Sequence, residues 1–177
     1  MQTSVNFVVF CALFSSVTCG SGYYWRDWNG TIPSDAYVVA NDSKGPVYFA
    51  QAYLYNTGLF VGNIKKQQFS IPLNPTTSNG PVKYSSVLKI FCASPDTLMW
   101  FPSNTTVTPK LERFVQPVLG GITNSNKTVY VGRFTTDGLT YVGSIHTDYY
   151  LYYTKQTGDG GYVNKYEILI HELGSNC

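Results

Sequence analysis

Short runs that alternate apolar and polar residues follow one another along the chain, separated by turns. Val47–Tyr55 and Leu59–Ile64 are two such runs, and the short Gly-containing turn Asn56–Gly58 between them predicts a β-hairpin. Val129–Phe134 and Tyr141–Ile145 repeat the arrangement later in the chain. No segment carries a convincing helical period. The pattern therefore predicts an all-β fold of short antiparallel strands, arranged as a sandwich or barrel.

Turn-forming residues delimit the remaining predicted strands. Asn41–Gly45 is a predicted turn, because Asn, Asp and Gly tolerate left-handed backbone angles, and Pro72–Pro81 is a predicted polar loop. The other predicted strands are Ala36–Ala40, Gln67–Ile71, Lys83–Phe91, Tyr149–Tyr153 and Lys165–His171. Leu98–Phe101 matches the entry segment that ends at Trp25, and Gln116–Gly121 matches Ile32-Pro33 and the strand after it.

The two halves of the sequence match each other. At a constant spacing of 81 positions, apolar and glycine residues coincide without a gap from residue 61 to residue 88. A run of matches in one register predicts an internal repeat. We expect units at residues 20–92 and 93–177 that form one compact domain, with the closing strands in equivalent places about a pseudo-two-fold axis. The coinciding pairs include Val61/Val142, Gly62/Gly143, Ile64/Ile145, Thr76/Thr157, Gly80/Gly161, Val82/Val163, Val87/Ile168 and Leu88/Leu169.

Composition narrows the class of protein. The chain has 177 residues, of which 44% are hydrophobic and 12% charged, and its net charge is +2. This hydrophobic content supports a packed core and excludes a disordered chain. Without a basic cluster there is no electrostatic footprint for nucleic acid. The 15 tyrosines suit strands and wet binding surfaces.

The N-terminus predicts secretion. Val5–Phe14 is an apolar core of signal-peptide length followed by small residues, so residues 1–19 are expected to be removed and the mature protein to be extracellular. A first buried strand or a short anchor is the alternative, although the run is too short to span a bilayer. No other stretch is apolar enough to predict a membrane span.

Secretion would allow glycosylation and a disulfide. With Cys11 and Cys19 in the signal peptide, Cys92 and Cys177 remain, and they are expected to pair and tie the two unit ends together. Two free or intermolecular thiols are the alternative. Four Asn-x-Ser/Thr sequons are candidate glycan sites, at Asn29, Asn41, Asn104 and Asn126.

The sequence lacks the signatures of the common enzymes and metal sites. His146 and His171 are the only histidines, and neither has the neighbours of a zinc site or a nucleophile motif. Gly121–Thr128 resembles a phosphate-binding loop, but Asn126 replaces its second glycine and a strand follows where a helix must begin. The acidic residues are scattered, so no glycosidase pair is indicated. We therefore expect no catalytic residue, cofactor or metal ion.

The motifs of the second half resemble the DM9 repeat family. Trp100, the hairpin with Tyr130-Val-Gly-Arg133, the Val-Gly-x-Ile strand and the closing Tyr166-Glu-Ile-Leu169 carry the resemblance. The first half keeps it more loosely, with Phe49-Ala-Gln51 in place of Val-Gly-Arg. The resemblance implies a tandem pair of intertwined repeats with pseudo-two-fold symmetry. Some members of the family are mannose-binding lectins of innate immunity.

The resemblance also implies a sugar site. In the lectin members, an Asp in the turn before the Tyr-Val-Gly-Arg strand and a Lys on the next strand contact the sugar. Asp42 matches the Asp, whereas Asn63 and Ser144 stand at the two Lys positions. We therefore expect one weakened carbohydrate site at Asp42 and Asn63. The expected partners are mannose-type sugars or surface glycans, a homodimer being left open. A secreted structural or interaction protein that has lost the sugar site is the alternative.

Two tyrosine-rich rows bear on this choice. Tyr23–Trp25 and Tyr149–Tyr153 have rings that could stack on the C–H faces of sugars. Cross-strand packing in a Tyr-rich sheet is the alternative, and we favour it, since half of the rings on alternating strands face inward regardless.

Overall fold

A computed structural model describes most of the chain after its N-terminal segment. The described residues are 22–66, 68–70, 84–155 and 160–171. Several predicted features lie outside the described residues: the signal peptide with Cys11 and Cys19, the loop Pro72–Pro81, and Cys177. The repeat pairs Thr76/Thr157, Gly80/Gly161 and Val82/Val163 lie wholly or in part outside them.

The described chain is almost entirely β-structure. One antiparallel sheet contains all thirteen described strands, and the all-β prediction is confirmed. The helical exceptions in these residues are the 3₁₀ turn Pro95–Thr97 and the helix α1, Thr108–Leu111, which at four residues is too short to leave a period in the sequence. The strands are β1 Tyr23–Trp28, β2 Val38–Asp42, β3 Gly45–Leu54, β4 Gly58–Lys65, β5 Gln68–Ser70, β6 Tyr84–Ala93, β7 Leu98–Asn104, β8 Leu119–Thr123, β9 Thr128–Thr136, β10 Leu139–Ile145, β11 Leu151–Thr154, β12 Gly160–Val163 and β13 Lys165–His171.

The meander β2–β3–β4 has the same register as the meander β8–β9–β10. Ala50 of β3 pairs with Gly62 of β4, and Gly132 of β9 pairs with Gly143 of β10. These are the positions that the aligned hairpin motifs place opposite each other. The duplication read from the sequence is therefore present in the strand registers of these hairpins.

The closing strands are equivalent in a different register from the one that the ungapped alignment predicts. Ala50 pairs with Ile90 of β6, and its counterpart Gly132 pairs with Ile168 of β13. Ile90, not Val87, is therefore the counterpart of Ile168. The expected equivalence is wrong because the first half has three more residues between β4 and β6 than the second has between β10 and β13. Val87 is accordingly 61% exposed, while Ile90 and Ile168 are buried.

Six strands, β2, β3, β4, β8, β9 and β10, follow one another in a ring that joins the halves at two places. At the first, the ladder seam, β4 pairs with β8 through Leu59–Ile122 and Gly58–Thr123. At the second, the ionic seam, β10 and β2 are both described and share no ladder. Instead, the backbone of Thr140 in β10 is hydrogen-bonded to the side chains of Asp42 in β2 and Lys65 in β4.

The central core draws on both halves in matched pairs. Phe49, Val61 and Phe91 of the first half lie in one buried cluster with their counterparts from the second. Phe91 sits among aromatic rings, with edge contacts to Tyr37 and Phe49 at 5.8 and 5.6 Å between centroids. Edge-to-face geometry is the favoured arrangement of such rings. The counterparts are Val131, Val142 and Leu169.

Gln51 replaces the arginine of the family motif without loss of its main contact. Arg133 donates a hydrogen bond from Nη1 to the carbonyl of Val39 in the other half. Gln51, at the equivalent place, donates from Nε2 to the carbonyl of Gly120 at 2.7 Å. Arg133 additionally binds Glu167 and stacks over the Trp100 ring. Gln51 therefore keeps the hydrogen bond that Arg133 makes to a backbone carbonyl of the other half, without the contacts to Glu167 and Trp100.

Cys92 is fully buried in the outer core of the first half, and no described cysteine lies opposite it. Cys92 forms an isolated antiparallel β-bridge with Ala36, as Ile170 does with Pro117, so Cys92 and Ile170 are counterparts. Burial raises the pKa of the Cys92 thiol. Because Cys177 lies outside the described residues, the Cys92–Cys177 disulfide stays a prediction.

Candidate functional site

The ionic seam contains an ion pair with almost no solvent exposure. Asp42 is the last residue of β2 and Lys65 is the last residue of β4. Lys65 Nζ lies 2.6 Å from Asp42 Oδ2, and the two side chains are 7% and 1% exposed. A buried charge costs several kcal/mol unless it is paired and hydrogen-bonded. Each partner therefore requires the other.

The ion pair supplies hydrogen bonds that a neighbouring strand supplies at the ladder seam. Thr140 donates its backbone N–H to Asp42 Oδ2 at 3.3 Å and accepts from Lys65 Nζ at 2.7 Å through its carbonyl. The counterpart of Thr140 is Leu59, which pairs directly with Ile122 of β8. Asp42 and Lys65 thus satisfy the backbone groups of β10 where β2 does not reach them.

Two glycines, Gly58 and Gly121, allow the close approach at the ladder seam, and their counterparts at the ionic seam are Leu139 and Ala40. A Cβ atom on Gly121 would lie 1.9 Å from the carbonyl oxygen of Leu59, so the ladder seam requires glycine there. Its counterpart in β2 is Ala40, which pairs with Val47 as Gly121 pairs with Val129. Ala40 carries the methyl group that the close approach excludes, which leaves a gap for side chains to bridge.

The surroundings keep Asp42 ionised. Burial raises the pKa of Asp42, but the hydrogen bonds from Lys65 and from the backbone N–H groups of Lys44 and Thr140 outweigh it, and the pKa lies below its ordinary value. The Lys65 ammonium also lies over the half-buried ring of Tyr141, 5.6 Å from its centroid. An acid, an ammonium and an aromatic face therefore meet at one place.

The two residues of the predicted sugar site have different partners in the structure. Asp42 ends a strand instead of lying in the turn, so its side chain points into the seam and not outward. Asn63 is 4% exposed and accepts a hydrogen bond from the Ser70 hydroxyl. Ser144, the counterpart of Asn63, uses its hydroxyl to bridge the backbone N–H and carbonyl of Val61 across the halves.

Lys65 is a seam residue that the sequence interpretation did not choose as part of the sugar site. It follows Asn63 by two positions on one strand, and strand alternation places both on one face. That alternation is the signal that would have identified it. Among the four sequon asparagines, Asn29, Asn41 and Asn126 are exposed, while half-buried Asn104 accepts the N–H groups of residues 106 and 107.

Most rings of the two tyrosine-rich rows have packing partners. Tyr23 and Trp25 contact Phe91 at 5.2 and 5.1 Å between centroids. Tyr153 packs edge-on against Phe134 at 4.6 Å. Tyr24 is half exposed, and its hydroxyl bonds the Asp35 carboxylate. The contacts agree with the packing interpretation for these rings.

His146 occupies the place at the ladder seam that Lys65 occupies at the ionic seam. Its ring lies 5.2 Å from Phe60 of the other half and 4.6 Å from Tyr152. Burial lowers the pKa of His146 to about 4, against the raising effect of the Asp148 carboxylate. The neutral imidazole is therefore the form that fits this seam.

This histidine predicts a pH dependence of stability. Because the folded-state pKa lies below the ordinary value of about 6.5, the stabilisation is complete above pH ~6.5 and is lost as the pH falls toward about 4. Denaturant titrations at several pH values across this window should show that the free energy of unfolding falls as the pH falls. The plot of this free energy against pH should be less steep for His146→Gln. Equal slopes for the two proteins would contradict the assignment.

The described residues hold no group of three or more His, Cys, Asp or Glu side chains that could bind a metal ion. Among them there is also no helix with the length and hydropathy needed to cross a membrane.

Comparison with known proteins gives one family. Residues 76–163, about half of the chain, match the DM9 repeat. The matched span begins before the predicted boundary between the two units and ends before β13. The match covers one repeat, most of it in the second predicted unit, so the tandem pair and the unit boundaries stay predictions. No curated protein matches the sequence.

Proposed function

The chain belongs to the DM9-repeat family, and we propose on that premise that it is a carbohydrate-binding protein. In this proposal it is a secreted, lectin-like and non-catalytic protein that recognises mannose-type sugars on surface glycans. One observation carries the proposal: a lysine, Lys65, lies against Asp42, the residue that matches the sugar-binding Asp of the lectin members. Asn63 stands where those members have their Lys.

The chemistry of the seam suits a sugar. The Asp42 carboxylate accepts hydrogen bonds from vicinal hydroxyls, and the Lys65 ammonium donates to a ring or hydroxyl oxygen. Because both charged side chains are nearly buried, a sugar must exchange with their bonds to Thr140. We therefore expect millimolar affinity, corresponding to about −4 kcal/mol.

A second candidate is a secreted structural or interaction protein. The same burial favours it, since the bonds that Asp42 and Lys65 make to Thr140 and to each other leave little capacity for a ligand. Under this second candidate function, Asp42 and Lys65 stabilise the contact between the two halves and do not bind sugar.

A glycan array and a titration with mannosides separate the two candidates. Wild-type protein is expected to bind mannose-type sugars weakly. Asp42→Asn combined with Lys65→Met removes both charges together while keeping similar volumes, and we expect it to reduce affinity by tenfold or more. Asp27→Asn with Lys89→Met is the matched control, because that pair is exposed and lies outside the seam. Silence of the array at high protein concentration would establish the second candidate instead.

A further inference from the structure

A row of apolar side chains crosses the sheet at the ladder seam and faces solvent. Tyr53 of β3 pairs with Leu59 of β4, and Leu59 pairs with Ile122 of β8. Directly opposed residues of antiparallel strands point to the same face. Tyr53 is 41% and Ile122 43% exposed, and the more exposed ring of Tyr55 lies edge-on to Tyr53 at 5.9 Å.

The fold itself does not require this row to be apolar. The counterparts of Tyr53, Leu59 and Ile122 in the other half are Thr135, Thr140 and Asn41, which are all polar. The same strands in the same register thus tolerate polar side chains at these positions. An exposed apolar surface present on only one side of a pseudo-symmetric molecule calls for something that covers it.

The row continues into a glycosylation sequon. The next cross-strand partner of Ile122 is Thr128, the third residue of Asn126-Lys127-Thr128. All three sequon residues are exposed. Asn126 has a φ of 62° and its turn is anchored to the β3–β4 turn by a hydrogen bond from Asn124 N–H to the Thr57 carbonyl at 2.9 Å.

We propose that Asn126 carries an N-linked glycan whose first sugars lie on this apolar row. Asn126 precedes Thr128 by two residues, so their Cα atoms lie at most about 7 Å apart, which is within reach of the first two N-acetylglucosamines. Their C–H faces and acetamide methyl groups pack on Tyr53 and Ile122, and the row itself contains no charged side chain that a neutral sugar would have to desolvate.

The modification is a transfer from a lipid-linked oligosaccharide diphosphate. Asn126 Nδ2 bonds to C1 of the first N-acetylglucosamine, the bond from C1 to the diphosphate oxygen breaks, and the amide loses one proton as the lipid diphosphate leaves. The step needs passage through the secretory pathway. Glycosylation of Asn126 does not depend on the sugar-binding proposal, because Asn126 lies beside the ladder seam and the proposed sugar site lies at the ionic seam.

The test is expression in a glycosylating eukaryotic host behind a proven signal sequence, followed by peptide mass spectrometry. Asn126 is expected to be occupied in most molecules. Thr128→Ala, which removes the sequon but keeps the asparagine, should raise the binding of a dye specific for exposed apolar surface at least twofold. Ser43→Ala removes the sequon at Asn41, which lies beside polar residues in the other half, and we expect it to leave dye binding unchanged.

Enzymatic trimming to a single N-acetylglucosamine should retain most of the protection, since the first sugar lies nearest the row. An unoccupied Asn126, or equal dye binding by wild type and Thr128→Ala, would overturn the proposal. It would also be overturned if the unglycosylated protein dimerises and Ile122→Asp makes it monomeric, because the row would then be a contact between two copies of this chain.

Discussion

Replacing Lys65 by methionine should lower the free energy of unfolding by about 3–5 kcal/mol, the cost of leaving one buried charge without its partner. The methionine keeps the length of the side chain but leaves the Asp42 carboxylate 1% exposed and uncompensated. It also leaves the Thr140 carbonyl without its donor. Equilibrium denaturation at neutral pH measures the loss.

The double variant Asp42→Asn with Lys65→Met identifies the cause. With both charges removed, most of the lost stability should return, because well-packed neutral replacements of buried pairs are often nearly neutral. Lys89→Met at the exposed pair with Asp27 should cost less than about 1 kcal/mol. If Lys65→Met were as mild as Lys89→Met, the ion pair would not hold the seam together.

Replacing Gly121 by alanine should destabilise the protein by about 3 kcal/mol or more, because the added methyl group would strike the Leu59 carbonyl of the other half. The contact of 1.9 Å is with backbone, so no side-chain rotation relieves it. Either β8 or β4 must move away, and the Leu59–Ile122 pairing opens. Thermal and denaturant unfolding report the change.

The reverse substitution at the counterpart position is the control. Ala40→Gly should cost about 0.5–1 kcal/mol, the usual effect of glycine within a strand, because it removes a methyl group and adds no clash. Equal losses for Gly121→Ala and Ala40→Gly would show that the close approach of β4 and β8 does not distinguish the seams.

The hairpins and the duplication were predictable because their signals are local. Alternation along Val47–Tyr55 and Leu59–Ile64 and the turn between them specify one strand pair without reference to the rest of the chain. The register of β6 was not predictable. Val87–Leu88 and Ile90–Phe91 are both apolar pairs, and only long-range pairing with Ala50 shows which one lies in the core.

The surroundings of Asp42 in the candidate site were not predictable from the sequence. The sequence interpretation put Asp42 in a turn, whereas it ends β2, and a shift of one residue in a strand moves a side chain to the other face. Its partner Lys65 is distant in sequence and is brought near by the ring of strands. The pair fills a gap where Ala40 and Leu139 stand at the counterparts of the two close-approach glycines, and these residues matter only next to another strand.

The seams also determine how the chain can reach this structure. The bonds that close the ionic seam join residues 75 and 98 positions apart, and the ladder seam likewise joins β4 to a strand of the other half. Contacts of such long range make loop closure costly before any of them forms, which is the signature of slow folding. A nascent chain that ends before β8 exposes the unpaired edge of β4. We therefore expect the ring of strands to close only after the second half of the chain has been synthesised.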